Sequence, residues 1–126
     1  MNEYNWEGKI IIVAEDVQIN FRLLELNLKK TNVTLFWAKN GEEVVELARN
    51  NDVDLILMDI QMPKLDGYEA TKAIKLFKPN VPIIAQTAFT MTNEKENSLL
   101  AGCDSYISKP INKRELLLLI DKYLTK

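Results

Sequence analysis

The chain has 126 residues, of which 47% are apolar and 27% charged, and its 16 basic and 18 acidic residues give a net charge of −2. This length fits about one domain with a substantial core, and the charge balance lacks the positive excess that favours direct binding to nucleic acid. Because there is no histidine and only one cysteine, Cys103, the sequence excludes Ser-His and Cys-His catalysis, soft-metal sites and an internal disulfide.

The amino-terminal residues carry no targeting or membrane signal. The opening stretch MNEYNWEGK has neither the basic region nor the apolar run of a signal peptide, and no apolar run approaches the roughly 20 residues of a membrane span. We therefore expect a cytoplasmic location and no membrane insertion by this segment. Residues 1–8 are predicted to be a lead-in or linker, and residues 9–126 to form the folded domain.

Five stretches have the composition of β-strands. Three of them are almost continuously apolar, which is typical of parallel strands covered on both faces, and two weaker ones complete the set. In chain order they are residues 9–14 (KIIIVA), 33–38 (VTLFWA), 54–59 (DLILMD), 81–87 (VPIIAQT) and 105–109 (SYISK).

Helix signals lie between the strands. Three pairs resemble capping boxes, in which a side chain at the helix start is followed three residues later by glutamate. The first helical segment, residues 17–31, carries two apolar stripes, so either one stripe stays partly exposed or both form one broad buried face. The capping pairs are Asn40 with Glu43, Asp66 with Glu69, and Asn112 with Glu115; the stripes are Val17, Phe21, Leu24 and Leu28, and Ile19, Leu23 and Leu26.

Strand and helix alternate five times along the chain. This (βα)5 order predicts a doubly wound α/β sandwich with right-handed crossovers, in which ligands bind beyond the carboxyl ends of the strands. At those ends stand Glu15 and Asp16 after the first strand, Asp59 after the third, Thr87 after the fourth and Lys109 after the fifth.

Each of these five residues alone has an ordinary explanation. Asp16 fits a helix N-cap, Glu15 a solvated loop acid, Asp59 a turn former, Thr87 a β-branched strand residue and Lys109 a surface charge. Their joint position at successive strand ends is much harder to attribute to chance, so we interpret them as one site.

The chemistry of this set indicates a phosphate site. Clustered carboxylates stay ionised only beside a compensating cation, and oxygen ligands without histidine or cysteine select a hard ion such as Mg²⁺. Such an ion and Lys109 together attract phosphate oxygens. Asp59 is the acid placed to react, because a carboxylate oxygen can attack phosphorus in line and form an acyl phosphate.

Four motifs carry a resemblance to a known family. The stretches IIIVAED, DLILMDIQMPKLDGYEA, PIIAQTA and AGCDSYISKP resemble the receiver domains of two-component response regulators, and the match runs from Lys9 to about Leu124. The resemblance implies a flavodoxin-like three-layer sandwich whose five parallel strands lie in the order 2-1-3-4-5.

The resemblance also implies roles for the residues of the site. Glu15 and Asp16 would hold Mg²⁺ together with the phosphoacceptor Asp59, and the backbone carbonyl of Gln61 would be a further metal ligand. Lys109 would form an ion pair with the phosphorylated aspartate.

Further residues are implied to switch, tune or shape the site. Thr87 would hydrogen-bond a phosphoryl oxygen, and Tyr106 matches the aromatic switch position, although a tyrosine packed only for stability is the alternative. Phe89 and Gln61 would flank the phosphate and tune its hydrolysis. Pro110 is the family's cis-proline candidate, and Gly67 follows Asp66 where a tight turn needs a small residue.

Two functions of other classes compete with the phosphorylation switch. A flavodoxin-like cofactor-binding protein would need a glycine- or hydroxyl-rich loop after the first strand, but AEDVQIN is acidic and contains no glycine. An aspartate-nucleophile phosphatase would carry a second acid two positions after the nucleophile, where Gln61 stands.

The parent protein and its partners follow from the resemblance. The residues of the motifs resemble most the C-terminal receiver of a hybrid histidine kinase, with a stand-alone single-domain response regulator as the alternative. The expected partner is the phosphohistidine domain of a kinase or a histidine phosphotransfer protein, docking on the first helix, where the stripe of Ile19, Leu23 and Leu26 would suit it. A phosphorylation-dependent dimer is a further expectation.

Overall fold

A five-stranded parallel sheet forms the centre of the protein. The computed structural model describes residues 4–60, 62, 64–87 and 102–125. The sheet has the order β2-β1-β3-β4-β5, as the resemblance implied. Its strands are β1 (Ile10–Ala14), β2 (Thr34–Ala38), β3 (Leu55–Asp59), β4 (Ile83–Thr87) and β5 (Ser105–Ser108).

Helices cover both faces of this sheet and complete the flavodoxin-like sandwich. In the described part of the chain they are α1 (Gln18–Leu28), followed by a short 3-10 helix (Lys29–Thr31), α2 (Gly41–Asn50), α3 (Gly67–Phe77) and α4 (Lys113–Leu124). Within the same ranges, no helix is both long enough and apolar enough to cross a bilayer. The helix expected between β4 and β5 falls in residues 88–101, outside the described residues.

The helix starts form as the capping pairs predicted. In all three pairs the first side chain accepts a hydrogen bond from the backbone N–H of the glutamate, which satisfies one of the free donors at a helix start. The distances are 2.9 Å for Asn40 to Glu43, 2.9 Å for Asp66 to Glu69 and 3.0 Å for Asn112 to Glu115.

The core consists of two apolar layers, one on each face of the sheet. Successive residues of a strand point to opposite faces, so Ile11 and Val13 pack with α1 and α4, whereas Ile12 and Ala14 pack with α2 and α3. Burying one large aliphatic side chain contributes about 1.5–3 kcal/mol to stability. The continuous apolar character of β1 therefore reflects burial on both faces.

Helix α1 buries one apolar stripe, except for Val17 at its N-cap, which is 43% exposed, and exposes the other stripe. Phe21, Leu24 and Leu28 lie in the core. By contrast, Ile19, Leu23 and Leu26 are 65%, 54% and 64% exposed. Of the two alternatives left by the sequence, the exposed stripe is therefore the one that forms.

Residues 4–8 pack onto the domain. The Trp6 side chain is buried among the side chains of α1 and α4, and its indole N–H donates to Asp121 Oδ1 at 3.3 Å. The Trp6 backbone N–H donates to the carbonyl of Thr31 at 2.6 Å. The domain boundary at Lys9 remains a prediction, but the side chain of Trp6 belongs to the same apolar layer as the strands that follow it.

Candidate functional site

Three carboxylates meet at the carboxyl end of the sheet. Glu15, Asp16 and Asp59 each offer an oxygen, and these oxygens lie within 4.8 Å of one another. Glu15 and Asp59 are buried, whereas Asp16 is exposed. They meet because β1 and β3 are parallel neighbours in register, so both strands end at the same edge.

Lys109 lies beside the two buried acids. Its Nζ is 3.3 Å from Asp59 Oδ2 and 3.7 Å from Glu15 Oε1. The Lys109 backbone N–H donates to the Thr87 carbonyl at 2.8 Å, which holds the end of β5 against the end of β4. The bond between Lys109 and Pro110 is cis, and this confirms the cis-proline expectation.

The Glu15 carboxylate is held by one oxygen and left without a hydrogen bond at the other. Oε2 accepts from the Val17 backbone N–H at 3.2 Å and from Asn20 Nδ2 at 3.4 Å. Oε1 is buried and has no hydrogen-bond partner among the described residues, since Lys109 is too far for one. A buried polar atom of this kind requires an explanation, and a ligand is one.

The electrostatics of Glu15 point to a cation. Burial raises the pKa of the Glu15 carboxyl above its ordinary value of 4.5, and the negative charge of Asp59 raises it further; Lys109 opposes these effects. A divalent ion would favour the ionised carboxylates and would give Oε1 the partner that it lacks among the described residues. Because the donors are all oxygens, the set fits a hard ion such as Mg²⁺.

The start of α1 removes the ordinary explanation of Asp16. The helix begins at Gln18, and its N-cap is Val17, which makes no side-chain capping bond. Asp16 is therefore not the helix cap. An exposed acid next to two buried ones stays available to a ligand.

Glycine at the start of α3 is required by contact with the site. A Cβ on Gly67 would lie 2.5 Å from the carbonyl oxygen of Asp59 and 2.7 Å from Ile60 Cα. The Gly67 N–H also donates to the Ile60 carbonyl at 3.0 Å. The structural role of Gly67 thus comes from the close approach of α3 to the end of β3.

Thr87 and Tyr106 lie on the same face of the sheet, on neighbouring strands. Thr87 pairs with Ser108, and Tyr106 lies two residues earlier on β5. Thr87 is buried, and Tyr106 is half-buried against the α2 and α3 layer. Gln61 and Phe89 lie outside the described residues, so their expected roles stay predictions.

Two contacts between separate elements were missed from the sequence. A Cβ on Gly41 would clash with the Leu65 carbonyl oxygen, so only glycine lets the start of α2 approach the segment before α3. The position of Gly41 directly after the N-cap Asn40 was the available signal. The indole of Trp37 contacts the Glu15 backbone, and no local pattern indicated this contact.

Comparison with known proteins gives a consistent family. The model of the response regulator receiver domain matches residues 11–121. The polar-differentiation response regulator DivK of Brucella anthropi is 37% identical over 118 residues, which cover 92% of this chain and 96% of that protein. The DivK protein of Brucella melitensis is 36% identical over the same extent.

Solved structures agree with the sequence relatives. The receiver domain of the sensor histidine kinase PA1611 from Pseudomonas aeruginosa, with magnesium coordinated in its active-site cleft, is 33% identical with a TM-score of 0.88, covering 94% of this chain and 99% of that one. The receiver domain of Ssk1 from Saccharomyces cerevisiae, crystallised with the histidine phosphotransfer protein Ypd1, is 32% identical with a TM-score of 0.89, covering 94% and 90%. The chain belongs to the response regulator receiver family, and its place is in two-component signalling.

Proposed function

We propose that the domain accepts a phosphoryl group from a phosphohistidine onto Asp59, with Mg²⁺ as cofactor, and changes conformation in response. The observation that carries this proposal is the meeting of a buried Asp59 with Glu15, Asp16 and Lys109 at one edge of the sheet. The domain acts on itself in this reaction, so we do not propose a turnover enzyme.

The residues of the site would divide the chemistry between them. Glu15, Asp16 and Asp59 would hold Mg²⁺, together with the backbone carbonyl of Gln61. Bound there, the ion would neutralise charge on the phosphoryl oxygens. An oxygen of Asp59 forms a bond to phosphorus while the nitrogen–phosphorus bond of the donor breaks, and the imidazole leaves and takes up a proton. The ammonium of Lys109 would then pair with the new phosphoryl charge.

The switch would pass through Thr87 and Tyr106. The hydroxyl of Thr87 would move toward the phosphoryl group, and the ring of Tyr106 would turn inward on the same face of the sheet. The shared face and neighbouring strands of the two residues support this coupling. Gln61 and Phe89 would tune hydrolysis, and dimerisation after phosphorylation remains an expectation of the proposal.

The first test is the phosphoacceptor itself. Incubating the protein with Mg²⁺ and acetyl phosphate should add the mass of one phosphoryl group to the wild type and none to Asp59→Asn, because the amide is a far weaker nucleophile. Intact-mass spectrometry measures both. Asp54→Asn is the matched control at the other end of β3 and should be labelled like the wild type. Equal labelling of Asp59→Asn would remove Asp59 from its role.

The parent protein is the finer part of the proposal. The identity to DivK supports a single-domain response regulator of that type at least as well as the hybrid histidine kinase receiver favoured from the sequence. The receiver of the kinase PA1611 is similar in fold and 33% identical, which keeps the hybrid parent as the second candidate. The size of the endogenous protein on an immunoblot distinguishes them.

We further propose that a phosphohistidine-bearing protein docks on the exposed stripe of α1, formed by Ile19, Leu23 and Leu26. The stripe follows the acidic pair directly in the chain, since α1 begins two residues after Asp16. The yeast complex of Ypd1 with a receiver 32% identical to this chain supports a partner of this class.

Replacing an anchor on that stripe tests the docking. Leu23→Ser should slow phosphotransfer from a labelled histidine phosphotransfer protein by about tenfold, the loss expected for one apolar anchor. Labelling by acetyl phosphate should not change, because that donor needs no docking surface. Leu76→Ser on α3, where Leu76 is 87% exposed, is the control. An unchanged rate for Leu23→Ser would reject this surface.

A further inference from the structure

Trp37, at the end of β2, makes a hydrogen bond to the backbone of the acidic pair. Its indole N–H donates to the carbonyl oxygen of Glu15 at 2.7 Å. Trp37 is paired with Val13 in the sheet, so its side chain reaches along the sheet past the end of β1. The carbonyl that it binds belongs to the peptide joining Glu15 to Asp16, and both of these residues offer carboxylate oxygens to the site.

The ring of Trp37 is fixed by its own neighbours. It stacks on Phe21 of α1 with ring centroids 4.6 Å apart and planes within 6° of parallel. The Nζ of Lys39 lies 4.9 Å from the Trp37 centroid, in cation–π range. Phe21 is buried, so the indole is held between a core residue of α1 and its own strand.

Both the N–H and the carbonyl of Glu15 are therefore hydrogen-bonded to residues of β2. Its N–H donates to the Ala38 carbonyl at 2.9 Å, and its carbonyl accepts from Trp37. Without the indole, the peptide after Glu15 would lose the second of these bonds. The acid that follows, Asp16, is exposed, and its side chain is not held by capping α1.

We propose that Trp37 is a positioning residue for the divalent cation, acting through the Glu15 carbonyl on the two adjacent acidic ligands. The inference rests on the proposed function, since it concerns the same ion. Holding a flexible ligand in its bound geometry before the ion arrives removes part of the ordering cost of binding. Trp37 thereby lowers the Mg²⁺ concentration at which the site fills.

The competing explanation is that the bond only satisfies a half-buried indole N–H. If that were its only role, loss of the bond would lower the stability of the fold and leave the Mg²⁺ dissociation constant unchanged. Trp37→Phe separates the two, because phenylalanine keeps an aromatic ring against Phe21 and loses the donor. Trp6→Phe is the matched control, since it also removes an indole donor, but one bound to Asp121 on α4.

The experiment measures the Mg²⁺ dissociation constant by calorimetry for the wild type and both variants. Trp37→Phe should raise it about fivefold, the value of one net hydrogen bond, and Trp6→Phe should leave it unchanged. Phosphorylation by acetyl phosphate should need correspondingly more Mg²⁺, while its rate at saturating Mg²⁺ stays within about twofold.

The outcomes separate the inference from the proposed function. If the wild type binds Mg²⁺ and Trp37→Phe binds it with the same constant, the positioning role is wrong and the proposed function stands. If the wild type binds no Mg²⁺, the proposed function fails and takes this inference with it.

A second measurement serves if Trp37→Phe does not fold. In the wild type, the two indole N–H signals in a nitrogen–proton NMR spectrum are assigned with Trp6→Phe. Titration with Mg²⁺ should shift the Trp37 signal, with the dissociation constant found by calorimetry, and leave the Trp6 signal in place. A Trp37 signal that stays unmoved at saturation overturns the inference.

Discussion

The charged groups at the two ends of the sheet are paired to different extents. At the amino end of β4, Lys75 Nζ donates to the carbonyls of Val81 at 2.7 Å and Pro79 at 3.3 Å and to Asp104 Oδ2 at 2.9 Å. The same Asp104 oxygen also accepts from the Ile83 backbone N–H at 2.8 Å. Each charge there is met by several partners of this chain.

At the carboxyl end, the described residues leave one buried carboxylate oxygen without a hydrogen bond. Two buried carboxylates, Glu15 and Asp59, share one ammonium at 3.7 and 3.3 Å, and Glu15 Oε1 makes no hydrogen bond within the described residues. The exposed Asp16 adds a third negative group. We therefore expect the charges at this end to lower stability when no cation is bound.

The difference between the ends distinguishes structural from functional charge clusters. Polar groups that are fully paired by the protein stabilise the fold, whereas groups left short of partners store binding capacity for a ligand. We expect this contrast to appear in the stability of one variant at each end, with the larger change at the amino end.

At the amino end we expect the largest loss of stability. Lys75→Met should lower the free energy of unfolding by about 2 kcal/mol, because it leaves Asp104 and two backbone carbonyls short of a donor. Chemical denaturation measures the loss. The Mg²⁺ dissociation constant should stay unchanged, since the site lies at the other end of the strands.

A surface ion pair of the same length is the control for Lys75. Arg22 and Glu25 are also 2.9 Å apart, but their side chains are about half exposed, 52% and 46%. Arg22→Met should cost less than about 0.5 kcal/mol. Equal losses for the two variants would show that the additional partners of Lys75 contribute nothing.

At the carboxyl end we expect a smaller change of the opposite sign. Glu15→Gln should raise the free energy of unfolding of the metal-free protein at neutral pH, by an amount on the order of 1 kcal/mol, because it removes a buried, poorly compensated charge. Thermal unfolding without Mg²⁺ measures it. With saturating Mg²⁺ the wild type should become the more stable of the two proteins, since it then gains the binding energy of the ion.

The pH dependence of the stability difference between Glu15→Gln and the wild type checks the sign of this effect. Folding raises the pKa of Glu15 above 4.5, so the folded protein holds this proton more tightly than the unfolded chain. Ionised Glu15 therefore costs stability, and the cost grows as the pH rises from 4.5 through the raised pKa. The advantage of Glu15→Gln should shrink as the pH falls toward 4.5. An advantage that is constant with pH would contradict the burial of charge at Glu15.

Local sequence patterns predicted much of the fold and the candidate site. The apolar runs marked the strands to within one or two residues, and Asn40, Asp66 and Asn112 marked three helix starts. The acids and the lysine at the strand ends could be expected to meet, because parallel strands bring their carboxyl ends to one edge. Each strand or helix signal spans only a few residues of the chain.

Contacts between distant residues were not predictable in this way. Trp6 reads as part of a linker, yet it is buried and bonded to Asp121. Gly41 is required by a carbonyl of Leu65, and Trp37 on β2 reaches Glu15 at the end of the neighbouring strand. Each depends on the exact distance between separate elements, which periodicity does not contain.

The sequence by itself determined which chemical groups stand at the strand ends and that parallel strands gather them. Only the tertiary structure decided which oxygen of Glu15 lacks a hydrogen bond among the described residues, how close Lys109 lies to each of the two buried acids, and which stripe of α1 faces solvent. The reason is physical: the position of each strand along the chain follows from local apolar character, whereas the partners that a buried charge needs depend on every group that the fold brings within a few ångströms of it.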